Sequence, residues 1–376
     1  MLVKTTTLQL YYTTNNNNIL YNITTMEVPS SPPFDRKRHI KYFGSCLRNL
    51  PSGYDRLDTN RLTLVHFAVH SLDLLGVLPE TSTEQCLSEE EMAKQVVNNQ
   101  AIVDWIYSLQ LKTGGFVGGT FLGPDEHLYS HSHVAMTYTA LCTLAALGDD
   151  LSRVDKPKAI ESLRPLQRPD GAFQCVQVGS EHDMRFLYCA CVISHLLNDW
   201  SAVDQDKAAD FVQSCIGYDG GISLIPGQEG HGGSTFCGVA ALTLMNRMDV
   251  LDQDLLIHWC VHRQMEGMQG RPNKAEDTCY SYWIGATLCL VGRADLLDQE
   301  PLRNFILKCQ TQMGGFSKVL GAYPDILHAF YSMSWLSLSS DYMEGEEEDL
   351  NLTKLNCTVG ICQDRMQVFN CERQVP

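Results

Sequence analysis

Apolar residues in this chain fall into two kinds of segment that alternate along it. One kind is apolar almost all round, as in the stretches 138–147, 186–197, 235–244, 279–290 and 326–338. Helices of that composition are buried on every side. The other kind is amphipathic and ends on glutamine, as in Trp105 to Gln110, Leu163 to Gln167 and Ile306 to Gln310. Between the two kinds recurs a short glycine turn: Gly114-Gly-Phe116, Gly171-Ala-Phe173, Gly220-Gly-Ile222, Gly267-Met-Gln269 and Gly314-Gly-Phe316. Their middle residues are spaced by 57, 49, 47 and 47 positions. Such a period predicts a helix-pair repeat. With the amphipathic helix outside and the apolar helix inside, about six repeats close into a ring. The fold class is therefore all-α, an α/α barrel or toroid of helical hairpins. A further apolar segment from Leu62 to Leu75, ending at Gly76, precedes the series.

Composition divides the chain around this repeat. Residues 1–39 carry Asn15 to Asn18, then Pro29-Ser-Ser-Pro-Pro33, and read as a disordered leader. Residues 40–340 make the barrel. Residues 341–376 begin with Glu344-Gly-Glu-Glu-Glu-Asp349 and read as an acidic, disordered tail. The formal net charge of -16, from 28 basic and 44 acidic residues, argues against nucleic acid as a partner. No apolar run reaches the ~18 residues of a membrane span, and no apolar signal core appears near the N-terminus. The fifteen cysteines are scattered, many of them in apolar helical segments, as reduced core thiols are, so a cytoplasmic location is expected.

Each apolar helix after the first is preceded by a polar cluster: Tyr129-Ser-His131-Ser-His133, Glu181-His-Asp-Met-Arg185, His231-Gly-Gly-Ser234, Arg271 to Asp277, and Tyr323 to His328. In a barrel these clusters would share one face, at helix N-termini that favour anions. Capping explains any one of them alone; five in register point to a site. The densest stretch is Gly270 to Trp283. Its Arg271 and Lys274 are donors of the kind that hold phosphate oxygens. Asp277 and Cys279, with His328 about fifty residues on, offer oxygen, sulfur and nitrogen to zinc, with a fourth position open as in catalytic sites. The same three residues also read as a helix cap, a buried core thiol and a core histidine, and spacing alone does not choose.

Taken together, His231-Gly-Gly-Ser-Thr-Phe-Cys-Gly238, Gly270-Arg-Pro-Asn-Lys274, Asp277-Thr-Cys-Tyr-Ser-Tyr-Trp283, the five glycine turns and Pro324-Asp-Ile-Leu-His328 resemble the protein prenyltransferase β-subunit family, within it the type I geranylgeranyltransferase group. The likeness covers about residues 40–340. It implies zinc on Asp277, Cys279 and His328, one per chain, with the fourth position taken by a substrate cysteine. It implies a diphosphate site of His231, Arg271, Lys274 and Tyr280. Lys318 stands where the farnesyl group has an aspartate that helps hold magnesium, so magnesium is not required; Lys318 and Tyr280 are the expected catalytic residues. Small Thr63 leaves room for geranylgeranyl diphosphate, and His133, Ala135, Arg185 and Phe186 match acceptor contacts for proteins ending in Cys-a-a-Leu, small GTPases among them. The implied partner is a prenyltransferase α subunit. The competing readings are a farnesyltransferase β subunit, which Thr63 and Lys318 oppose, and a non-catalytic zinc-stabilised scaffold, which intact Arg271, Lys274 and His231 oppose. A terpene cyclase would need an aspartate-rich metal motif, and Asp149-Asp150 is followed by Leu-Ser-Arg.

Overall fold

A computed structural model describes residues 31–50, 52–78, 99–120, 131–343 and 350–369 in full. N-terminal to these it describes two short antiparallel backbone pairings, Thr6–Thr7 with Met26–Glu27 and Thr14–Asn15 with Asn18–Ile19. Helices follow in outer and inner pairs: α1 (Arg36–Arg48) with α2 (Arg61–Leu74), α3 (Asn99–Ser108) with α4 (Val134–Ala146), and α5 (Lys156–Glu161) with α6 (Met184–Leu196). Then come α7 (Gln205–Ser214) with α8 (Gly232–Met245), α9 (Gln253–Val261) with α10 (Thr278–Leu290), and α11 (Gln299–Lys308) with α12 (Ile326–Ser339). The even-numbered helices each pack on the next, and α12 packs on α2, so the inner ring is closed. These are the all-round apolar segments of the sequence, and they bury nearly every residue. The expected toroid of six hairpins is the observed architecture.

The outer ring is held by the glutamines. Gln110 Oε1 accepts from Asp155 N–H (2.9 Å) and Nε2 donates to Arg153 O (3.1 Å). Gln167 holds both backbone groups of Asp204 in the same way, and Gln264 those of Asp298. Asp155 and Asp204 in turn cap α5 and α7 with their side chains. The last repeat clamps the first: Gln310 accepts from Asp35 N–H (2.8 Å) and donates to Pro33 O (3.0 Å). Leu163 to Gln167 departs from the expected helix and forms a 3-10 turn, Arg164–Leu166, because Pro165 lacks the N–H that an α-turn needs. In the turn that follows, Gly171 has φ +87° and a Cβ there would stand 1.9 Å from the Lys207 carbonyl oxygen, so only glycine lets the turn lie against α7.

Both ends of the barrel differ from expectation. The fold starts before residue 40, since Pro33 and Asp35 already bind the last repeat and α1 opens at Arg36. The acidic run 344–349 lies outside the described residues, but 350–369 is packed rather than a disordered tail. Leu355, Cys357, Val359, Ile361 and Cys362 are buried, and a hairpin forms from β1 (Leu355–Asn356) and β2 (Ile361–Cys362). Arg365 anchors it through two bonds to Asp73 Oδ1 of α2 (3.0 and 2.8 Å). Behind the acidic run, Leu355, Cys357, Val359 and Ile361 alternate with polar or small residues, the pattern of a half-buried strand pair. Among the described residues no helix is long and apolar enough to cross a membrane.

Candidate active site

The inner helices all begin at one end of the barrel, and their caps carry the polar clusters. His133, Asp183, His231, Asp277 and Asp325 each stand at the N-cap of α4, α6, α8, α10 and α12, and the side chain accepts a backbone N–H from the helix's first turn. Capping therefore does not argue against a site here: the residues that cap the helices are the ones gathered at this end of the barrel. Tyr129 and Ser130 of the first cluster lie outside the described residues.

Asp277, Cys279 and His328 come together from α10 and α12, each offering one ligand atom within 4.8 Å of the others. Two backbone-directed bonds fix the loops that bring them there: Thr278 N–H to Lys318 O (3.0 Å) and Thr278 Oγ1 to Ser317 O (2.9 Å). Asp277 Oδ1 accepts from Cys279 N–H (3.0 Å) and lies 3.2 Å from His328 Nε2. The other histidine nitrogen, Nδ1, is held by Asp325 Oδ2 at 2.6 Å. Burial opposes charge on His328, but the bonds to Asp277 and Asp325 outweigh it and raise its pKa to about 9. Burial pushes the Cys279 thiol far up, and the Asp277 carboxylate adds to this. A carboxylate, a thiol and an imidazole converging in a buried corner suit a borderline-soft divalent cation, which favours the deprotonated forms of all three. Asp325 holds His328 as the outer partner of a metal-binding histidine would. Sequence reading quoted Asp325 without a role; its spacing three before His328 is the signal.

Beside this corner stands a wall of donors. Gly233 N–H donates to His231 Nδ1 (3.1 Å), so the neutral ring carries its hydrogen on Nε2 and donates it to Tyr280 Oη at 2.9 Å. The phenol hydrogen is then left to point at a ligand. Burial lowers the pKa of His231, with Arg271 adding to it, so the neutral ring holds at pH 7. Burial raises Tyr280 to about 12, which keeps it a donor. Gly270 permits the arrangement: a Cβ there would stand 2.2 Å from Tyr280 Cζ. Arg271 Nη1 pairs with Glu229 (3.2 Å) on the rim, and Lys274 is exposed on the same loop. Lys318 Nζ lies 3.3 Å from Asp277 Oδ2, at the edge of the ligand trio.

The remaining expected residues occupy the same end. His133 and Phe186 meet edge to face (5.9 Å between ring centres), next to Ala135. Arg185 lies over Phe186 and bonds Asp183 (2.5 Å) and Glu181 (3.1 Å). Thr63 projects from α2 against Met136 of α4 (3.6 Å).

This toroid, with its ligand trio and donor wall at the helix N-termini, defines a class, and the chain belongs to it: residues 34–361 match the prenyltransferase alpha-alpha toroid domain family. Within that family its relatives include the geranylgeranyl transferase type-1 subunit beta of Arabidopsis thaliana, 38% identical over 83% of this chain and 87% of the relative. That of Dictyostelium discoideum is 36% identical over 81% and 91%. A solved Candida albicans protein geranylgeranyltransferase-I, complexed with GGPP, superposes with a TM-score of 0.77 over 90% of this chain and 98% of that one, at 24% identity, which bears on the fold.

Proposed function

We propose that the chain is the catalytic β subunit of a protein geranylgeranyltransferase type I. Paired with a prenyltransferase α subunit in the cytoplasm, it transfers geranylgeranyl from geranylgeranyl diphosphate to the cysteine of proteins ending in Cys-a-a-Leu. The observation that carries this reading is the adjacency of the Asp277, Cys279 and His328 corner to the His231 and Tyr280 donor pair, Tyr280 directly following Cys279 on α10. Asp277, Cys279 and His328 would hold zinc, which would supply a Lewis acid able to keep an incoming thiol deprotonated at neutral pH.

The chain's own residues do the rest. Arg271 and Lys274 hold diphosphate oxygens at the rim by charge. As the allylic carbon–oxygen bond breaks and the carbon–sulfur bond forms, the electron pair leaves with the diphosphate. Tyr280, its oxygen already accepting from His231, donates its hydrogen toward that growing charge. Lys318 swings from Asp277 to the same oxygens and replaces a divalent cation, so magnesium is not needed. Thr63 leaves the pocket long, and His133, Ala135, Arg185 and Phe186 receive the acceptor's last residues. The test is co-expression with an α subunit and transfer assays with geranylgeranyl and farnesyl diphosphates on peptides ending in Leu or Ser. The expected result is preference for the longer lipid and for Leu; preference for farnesyl on Ser would assign the chain to the other branch.

A further inference from the structure

One aromatic side chain from each of α4, α6, α8, α10 and α12, with the neighbours His66 and Phe67 of α2, joins a closed girdle inside the barrel. From α2 round to α12 the contacts run His66 to Tyr138 (5.9 Å), Tyr138 to Tyr188 (5.9 Å), Tyr188 to Phe236 (5.5 Å), Phe236 to Tyr282 (5.3 Å) and Tyr282 to Tyr331 (5.2 Å). Phe67 closes the circle against Tyr331. Tyr138 and Tyr331 are partly accessible, as are Thr63 and Trp283, so the inside of the ring is not filled at this level.

What lies beneath is the C-terminal hairpin. Tyr138 Oη donates to Val359 O (3.0 Å) and Tyr188 Oη donates to Thr358 O (2.8 Å). Gly360 completes the tip with φ +78°, and a Cβ there would stand 3.1 Å from Tyr282 Oη. Thr358 and Val359 are fully buried, so access ends where the tip begins. Three further contacts hold the hairpin at the far end of the barrel: Arg365 with Asp73, Thr353 N–H with Leu74 O (2.8 Å), and Ser337 Oγ with Thr353 O (2.7 Å).

We propose that this tip is the floor of the prenyl pocket and a second determinant of isoprenoid length, acting below Thr63. The inference rests on the prenyl-transfer reading above. A backbone floor differs from a side-chain wall in how it is set: its height depends on two tyrosine hydroxyls gripping two carbonyls. Without those bonds the tip keeps its internal bonds to Asn356 but loses both ties to the girdle, so its height against the lumen is no longer held there. A methyl group at position 360, in a left-handed backbone that disfavours it, instead narrows the space between the tip and the Tyr282 and Tyr138 hydroxyls.

The test uses the full-length chain co-purified with an α subunit, assayed with farnesyl diphosphate, geranylgeranyl diphosphate and the homologue one isoprene unit longer. The Tyr138→Phe, Tyr188→Phe double variant is expected to raise kcat/KM for the longest lipid relative to geranylgeranyl by about tenfold, the scale on which apolar pockets discriminate length. Gly360→Ala is expected to move the ratio the other way, toward farnesyl, and decides the matter if the double variant does not assemble. Length ratios equal to those of the native complex in assembled variants would overturn the floor. Absence of any transfer by the native complex would instead overturn the underlying reading.

Discussion

The seam where the ring closes makes a quantitative prediction. His39 of α1 is buried between the first and last repeats: its Nε2 faces Gln310 Oε1 (2.9 Å) and its Nδ1 accepts from Gly315 N–H (3.0 Å). The ring stacks on Phe316 at 4.6 Å and on Phe34 at 4.8 Å. Only the neutral imidazole can accept at Nδ1 while donating at Nε2. Burial lowers its pKa from 6.5 to about 4, against the pull of Gln310 and Asp35. Because the folded pKa lies below the unfolded one, the unfolded chain takes up the proton first. The contribution is therefore complete above pH 6.5 and is lost as pH falls toward 4. Between pH 7.5 and pH 5 the linkage amounts to about 2 kcal/mol from this residue alone. His39→Phe keeps the stacked ring but removes the titration, at a cost of about 1–3 kcal/mol for the orphaned Gly315 N–H at pH 7.5. Urea unfolding of both proteins at the two pH values checks this. Other buried histidines, such as His66, lowered to about 3, titrate in both proteins and cancel in the difference. An equal loss of stability in the two proteins between pH 7.5 and pH 5 would refute the neutral seam.

Two further predictions concern the mouth. Thr63→Trp should shift the ratio of kcat/KM toward farnesyl diphosphate by about tenfold or more; an unchanged preference would mean that Thr63 does not line the pocket. Lys318→Asp should slow transfer in magnesium-free buffer by about ten- to a hundredfold, the range seen when one preorganised donor is removed. Its rate should then rise with added magnesium, whereas a steep magnesium dependence of the native enzyme, with zinc saturating, would contradict the role given to Lys318.

The repeat was legible because its two physical requirements leave local marks. Inner helices must be apolar all round, and each turn must pass close to the next outer helix, where Gly171 meets the Lys207 carbonyl. The helix-ending glutamines were legible as a pattern but not as clamps, since Gln110 acts on Asp155 in the following repeat. Candidate ligands were legible as residue types, yet Asp277 satisfies a helix cap and a metal corner equally well in one dimension. What sequence could not carry was contact between distant segments. His39 meets its partners 271 and 276 positions away, and the hairpin tip meets Tyr188 and Tyr138 across 170 and 221. The acidic run before residue 350 further disguised the hairpin, because a charge cluster reads as solvated chain whatever follows it.

The central claim, a zinc corner serving a diphosphate wall, is tested most directly by measuring metal content and transfer on the same preparations of the αβ complex. One zinc per β chain and geranylgeranyl transfer to a peptide ending in Cys-a-a-Leu are expected. Both should be lost in a Cys279→Ala, His328→Ala double variant, which should still bind geranylgeranyl diphosphate because His231, Arg271, Lys274 and Tyr280 remain. Full zinc occupancy in that variant would contradict the assignment of the metal to Asp277, Cys279 and His328.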